Sequence, residues 1–302
     1  DIRPSRGLGD VYKRQEDTPE EPLIEYGEYE ECDDEPVDLT QLKTRRDGPS
    51  GTIILNRPDV RNALSRLTIR ELTQAFDEFH RTHGIRGIIL AASGSTFCAG
   101  TDLKELSEGV GDPEFFKQWH DDAKQVQGLL EKMLQLPVPI IAAVQGPVCG
   151  LGVALALAAD MVVATPEATV SLPEPKVGLV ATQTAPLLSF RLGAGPAARL
   201  LLSGEAVDAN EALRMGLFHE VVKSDLVWVR AQELCSSAAK GARESLLLTK
   251  QLVNETIGES LKTFQAIAAA NAATARTTEA AAEGVAAFLE KRKPQWLSLI
   301  HI

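Results

Sequence analysis

The stretch Ile140–Ala159 constrains the fold more than any other segment. Its twenty residues carry one polar side chain, Gln145, so it must be buried in a membrane or in a core. Gly146, Pro147, Gly150 and Gly152 fall within seven positions and divide it. A continuous membrane span does not fit that interruption. The expected form is a buried strand at 140–144, a glycine-rich turn, and a helix reaching Ala159.

Strand and helix alternate on both sides of this segment. Gly51-Thr-Ile-Ile-Leu-Asn56 is a β-branched run closed by Arg57-Pro58, and Gly87-Ile-Ile-Leu-Ala-Ala92 reads as a second buried strand. Between them Ser65 can cap a helix to about His83, with Leu67, Leu72, Ala75, Phe76 and Phe79 on one face. Another helix is expected from Phe115 to Leu136, stopped by Pro137 and Pro139, with strands at 161–164 and 169–172. Beyond about Gln183 the pattern turns helical, over 183–192, 196–202, 208–214, 225–240, 242–253 and 259–290, with room for a strand at 220–222. Alternation of this kind builds a largely parallel sheet through crossovers. The fold class is α/β, with a helical C-terminal region.

Charge separates a body from its ends. The net charge is −11, but residues 16–38 hold twelve acids and no base, which leaves the rest nearly neutral. A basic nucleic-acid surface is not indicated. Residues 1–50 are read as an acidic, disordered leader; 1–15 resemble translated adapter sequence, as does the tail at 297–302. The body divides into a core at 51–195 and a helical region at 196–296. The first thirty residues hold no signal-peptide core, and the cysteines at 32, 98, 149 and 235 show no metal-type spacing. Reduced thiols, a cytoplasmic location, no metal and no membrane span are expected.

Three turns follow strands, where α/β folds place their ligands. They are Phe97-Cys-Ala-Gly-Thr-Asp-Leu-Lys104, Gln145-Gly-Pro-Val-Cys-Gly-Leu-Gly-Val153 and Leu172-Pro-Glu-Pro-Lys-Val-Gly178. Gly150 and Gly152 match the first two glycines of a dinucleotide turn, but Leu155 takes the third place and Glu174 sits between two prolines, a poor ribose ligand. A different role fits the same residues. A helix opening at Gly150 points unpaired N–H groups and the positive end of its dipole into a cleft. With a second amide from the Ala99–Thr101 turn, two N–H groups can hold one developing oxyanion. Taken singly, each glycine-rich turn is better explained by ordinary tight packing.

Further motifs follow in order: Asn56-Arg-Pro58 with Arg61-Asn-Ala-Leu64, Leu202-Ser-Gly-Glu-Ala-Val-Asp-Ala-Asn-Glu-Ala212 with Gly216-Leu217, and Ala287-Phe-Leu-Glu-Lys-Arg-Lys-Pro294. With the three turns, they make the chain from about Gly51 to Trp296 resemble the crotonase (enoyl-CoA hydratase/isomerase) superfamily. Clp-type peptidases share a similar spiral but need a Ser–His pair, and no serine stands at a nucleophile elbow. The resemblance implies a crotonase/ClpP-like spiral of ββα units, a C-terminal trimerisation region, and homotrimers or hexamers. It implies an acyl-CoA thioester as ligand, with no cofactor beyond that coenzyme A. The oxyanion-hole amides map to Thr101 and Leu151. The turn Ala99, Gly100, Asp102 and Leu103 would line the adenine pocket. Arg61 lies where a basic residue meets CoA phosphates, and Ala63, Gly150, Pro173 and Thr182 complete the substrate contacts.

The carboxylates bear on the reaction. By the resemblance, hydratases carry two glutamates; here one position falls on Ala154, which transfers no proton, and the other on Glu174. A lone carboxylate suits the family's enoyl-CoA isomerases. Moving a double bond needs one base that takes a proton from C2 and returns it at C4 while the amides stabilise the enolate. Apolar surroundings should raise the Glu174 pKa. Asp160 is expected to cap or pair structurally. Thr182 and Gln183 replace small glycines of the family and alter the substrate's surroundings. The leading expectation is an enoyl-CoA isomerase or hydratase with Glu174 as acid/base. The alternatives are a hydratase-lyase or decarboxylase, a non-catalytic CoA- or partner-binding protein, and a nicotinamide enzyme.

Overall fold

Aliphatic runs too short for helices and buried on both faces become the central strands. The computed structural model describes residues 39–255 and 258–296. The leader to residue 38 and the tail from 297, with what was expected of them, lie outside the described residues. β1 (Leu42–Asp47) pairs antiparallel with β2 (Ser50–Leu55). From β2 the sheet continues in parallel through β3 (Gly87–Ala92), β4 (Ile140–Val144), β6 (Met161–Ala164) and β9 (Glu220–Val221). A second sheet joins β5 (Val148–Cys149), β7 (Thr169–Ser171) and β8 (Val207–Asp208). Ile53, Ile88, Leu90, Ile140 and Val144 have no exposed surface.

One boundary needs correction. Residues 39–50, read as part of the leader, belong to the folded body. β1 is an edge strand whose Lys43, Thr44, Arg45 and Arg46 face solvent, so it shows no apolar alternation. A buried carboxylate fastens it instead. Glu71, only 1% exposed, accepts from the amides of Thr40 (3.0 Å), Gln41 (2.8 Å) and Leu42 (3.1 Å). Glu71 belongs to α1 (Arg66–Arg81), capped by Ser65, whose Oγ accepts from Thr68 N–H at 3.1 Å.

After β3 come α2 (Leu103–Leu106), begun by Asp102, and α3 (Phe116–Gln135). α4 (Leu151–Ala158) is buried on nearly every side, as its all-apolar sequence requires. It is followed by α5 (Thr184–Leu192), α6 (Ala194–Ser203), α7 (Ala209–Met215), α8 (Val227–Ala238) and α9 (Arg243–Glu255). α6 runs across the expected boundary at 195, and the described residues belong to one unit. The single helix expected over 259–290 is two, α10 (Gly258–Arg276) and α11 (Glu279–Leu289). Threonine makes the break. Thr277 and Thr278 donate their hydroxyls to Thr274 O (2.9 Å) and Ala275 O (2.8 Å), and Thr278 Oγ1 then caps α11 at Ala281 N (3.1 Å).

Asp160 pairs structurally. It accepts from Ile140 N (2.8 Å) and from Lys250 Nζ (2.8 Å), and Lys250 also donates to Met133 O and Val138 O. No helix among the described residues is long and apolar enough to cross a membrane.

Candidate active site

The three strand-end turns meet at one place. At the parallel bridge of Leu64 with Thr101, Leu64 N donates to Gly100 O (2.8 Å) and Asp102 N donates to Leu64 O (3.0 Å). Parallel pairing of this kind turns the Thr101 N–H away from Leu64. Leu151 opens α4, so its N–H has no partner within the helix. Neither N–H finds an acceptor among the described residues.

Glycine brings these two peptides together. A Cβ on Gly100 would stand 2.9 Å from Cys149 O and 3.3 Å from Leu151 N. Gly100 at φ 87° and Gly150 at φ 53° adopt backbone conformations that side chains disfavour. The bond from Cys149 N to Cys98 O (2.9 Å) holds the turns side by side, and Gly152 lies against Cys98. Burial pushes the Cys98 thiol up to about 12, so it is no nucleophile.

Glu174 arrives on the third turn. Gly150 N donates to Ser171 O (3.0 Å), tying the end of β7 to the opening of α4. Pro173 and Pro175 flank Glu174 at the start of a short 3-10 turn, and Leu179 N donates to Glu174 O (2.9 Å). α11 rests on this turn at very close range: a Cβ on Gly284 would stand 2.3 Å from Val177 O. Glu174 Oε1 lies 2.9 Å from where a Gly150 Cβ would be, and Oε2 is buried without a hydrogen-bond partner. Burial pushes this carboxyl from 4.5 up to about 7; its hydrogen bond to backbone acts in the other direction. The open cleft around it is also lined by Thr101, Leu151, Thr182, Gln183 and Arg276.

Other acids nearby are engaged. Asp102 accepts from Arg57 Nη1 (3.0 Å) and caps α2. Glu105 accepts the Arg66 N–H (2.8 Å), and Asp122 takes Arg66 Nε at 2.9 and 3.0 Å. Ala154 is fully buried in α4. Such an arrangement offers two unpaired amides and one proton carrier, the parts needed to form and quench a thioester enolate.

The remaining expected residues lie close by in varied roles. Ala99 N donates to Arg61 O (3.0 Å), and the Arg61 side chain is exposed. Ala63 N donates to Val60 O (3.1 Å) and Pro173 O accepts from Lys176 N (2.8 Å), so both shape turns, and neither is among the residues lining the cleft. Leu103 packs against the cluster of Leu106 and Trp119. Asn62, quoted above only within a motif, bolts the site together: its Nδ2 donates to Ser93 O (2.9 Å) and Thr96 O (2.8 Å), its Oδ1 accepts from Arg57 N (2.8 Å). Sequence reasoning passed over Trp119 and Arg276. A lone arginine closing an alanine-rich helix was the available signal.

The sequence model of the enoyl-CoA hydratase/isomerase family matches residues 50–298. The chain belongs to the enoyl-CoA hydratase/isomerase family. A carnitinyl-CoA dehydratase of Proteus mirabilis is 34% identical to this family member over 250 residues, covering 81% of this chain and 93% of the relative. The crystal structure of an enoyl-CoA hydratase from Mycobacterium smegmatis matches with a TM-score of 0.68 and 32% identity, over 86% of this chain and all of that one. An enoyl-CoA hydratase from Mycobacterium avium matches with a TM-score of 0.76 and 28% identity, over 85% and 98%. The mixed α/β architecture with its helical C-terminal region is therefore the crotonase fold, and the family supports an enzyme acting on CoA thioesters.

Proposed function

We propose that this family member shifts the double bond of an enoyl-CoA, with Glu174 as its sole acid/base. The thioester oxygen would sit on the N–H groups of Thr101 and Leu151, which stabilise the enolate. Glu174 would take a proton from C2 and return it at C4. One observation carries the reading: Glu174 lines the cleft with one carboxylate oxygen, Oε2, buried and unpartnered among the described residues, while Asp102, Glu105 and Asp122 beside it are held by arginines. Hydration needs an oriented water as well, and Ala154 offers no second carboxylate.

Hydration is the second reading, favoured by buried Gln183, whose amide has no partner among the described residues and lines the cleft. Two absorbance assays separate them. A 3-enoyl-CoA incubated with the protein should gain the absorbance of a conjugated thioester. Loss of absorbance from a 2-enoyl-CoA, with no reaction of the 3-enoyl isomer, would favour hydration. No reaction of either would leave a CoA-binding protein without catalysis.

Association of copies belongs to the same proposal. Exposed Val180, Phe264 and Ile267 line one groove between α5 and α10, a face suited to burial against another chain. Light scattering should return three or six times the chain mass; a monomer would contradict this. A cytoplasmic setting is proposed with it, in keeping with free Cys98, Cys149 and Cys235.

A further inference from the structure

A cation that forms no ion pair among the described residues stands in the wall of the same cleft, with Asp122 acting on its charge from a distance. Arg276 ends α10 and lines both the Glu174 cleft and the cavity that continues past Thr101 and Leu151 toward Trp119. No acceptor or ion-pair partner for its guanidinium is found among the described residues. Every acid in reach is already occupied. Asp122 is bonded to Arg66 Nε and to Gln118 Nε2 (2.8 Å), and Glu105 and Asp102 are held as described above. Arg66 adds repulsion rather than relief. The two guanidiniums lie 5.4 Å (Arg276) and 5.5 Å (Arg66) from the Trp119 ring centre. Trp119 Nε1 is itself a buried donor without an acceptor.

A half-buried arginine that makes no ion pair is unfavourable beside a purely alkyl ligand, which would strip its remaining hydration and put nothing in its place. It is well matched to a carboxylate, whose two oxygens accept a guanidinium's paired N–H groups. We propose that Arg276 receives a carboxylate carried by the acyl group of the thioester substrate, making it the residue that selects dicarboxylic over simple fatty acyl-CoAs. The inference rests on the reading above, in which Thr101 and Leu151 hold the thioester oxygen. A CoA phosphate offers the same chemistry, but the pantetheine arm separates it from the thioester, whereas Arg276 shares a cavity with both amides. The acyl end is therefore the better match.

Calorimetric binding of non-reacting ligands tests this without turnover. Succinyl-, glutaryl- and adipyl-CoA are compared with butyryl-, pentanoyl- and hexanoyl-CoA, with free CoA alongside. At least one dicarboxylic member should bind the wild-type protein about 10- to 100-fold more tightly than its alkyl counterpart. Arg276→Met should erase that difference and leave alkyl-CoA and free CoA affinities unchanged, and Arg276→Lys should restore part of it. Equal binding of every pair to wild type overturns the proposal, whether or not the variants fold. An equal loss by Arg276→Met on free CoA and all acyl-CoAs would also overturn it, by assigning the guanidinium to a phosphate or to packing. Preference for a dicarboxylic ligand without turnover of any enoyl-CoA would sink the catalytic reading alone; turnover without preference would sink this one alone.

Discussion

Glu174→Gln is expected to lower kcat/KM on an enoyl-CoA by about 10²- to 10⁴-fold while leaving CoA affinity intact. The substitution keeps the shape of the side chain but removes the group that carries the proton. Its pH dependence follows from burial. With Glu174 as the proposed base, the active form is the ionised one, and burial pushes its pKa up to about 7. Activity should therefore fall about tenfold per pH unit below 7 and level off above it. The residual rate of Glu174→Gln should not follow that curve.

Stability provides a check that needs no substrate. The folded-state pKa of Glu174 lies above its ordinary value of 4.5, so the folded protein binds a proton that the unfolded chain has released. The resulting penalty is absent below about pH 4.5, grows as pH rises to 7, and is constant above. Thermal melts should show Glu174→Gln gaining stability over wild type at pH 8, by at most about 3 kcal/mol, with little gain at pH 5. An equal difference at both pH values would count against a desolvated carboxylate.

Gly100→Ala is expected to cost about 10²-fold in kcat/KM with no titratable group altered, the size of losing one oxyanion donor. A Cβ there would stand 2.9 Å from Cys149 O and 3.3 Å from Leu151 N, both main-chain atoms that can yield only by moving the opening of α4. The conformation at φ 87° adds strain of about 1–2 kcal/mol. Gly216→Ala is the matched control. It has a similar φ of 84°, but a Cβ there meets nothing within 4 Å. Both variants should lower the melting temperature, and only Gly100→Ala should slow turnover. Equal activity in the two would separate the Gly100–Leu151 contact from function.

The parts of the fold readable in advance are those where burial dictates composition. β2, β3 and β4 are covered on both faces, so each carries an unbroken aliphatic run, and α1 announces itself by a capping serine and one apolar face. β1 was missed because an edge strand needs few apolar residues and is held by Glu71, a contact thirty residues away in sequence. β5 and β8 are two residues each, too short to show a period. The break after Arg276 depends on threonine hydroxyls competing for helix carbonyls, which periodicity does not register.

Within the site, Glu174 and the glycines at 100 and 150 stood out because prolines and glycines fix backbone where they occur. The unpaired Arg276 guanidinium did not, because lacking a partner is a property of the assembled fold. The Glu174 carboxylate and the Thr101 amide come from turns more than seventy residues apart in sequence, and only the fold brings them to one cleft.

The structure of the protein with a bound, non-reacting acyl-CoA tests the central claim most directly. The account predicts the thioester oxygen within about 2.7–3.1 Å of both the Thr101 and Leu151 nitrogens, with the Glu174 carboxylate facing the carbon next to it. A thioester oxygen bound elsewhere, or a Glu174 carboxylate turned away from that carbon, would contradict it.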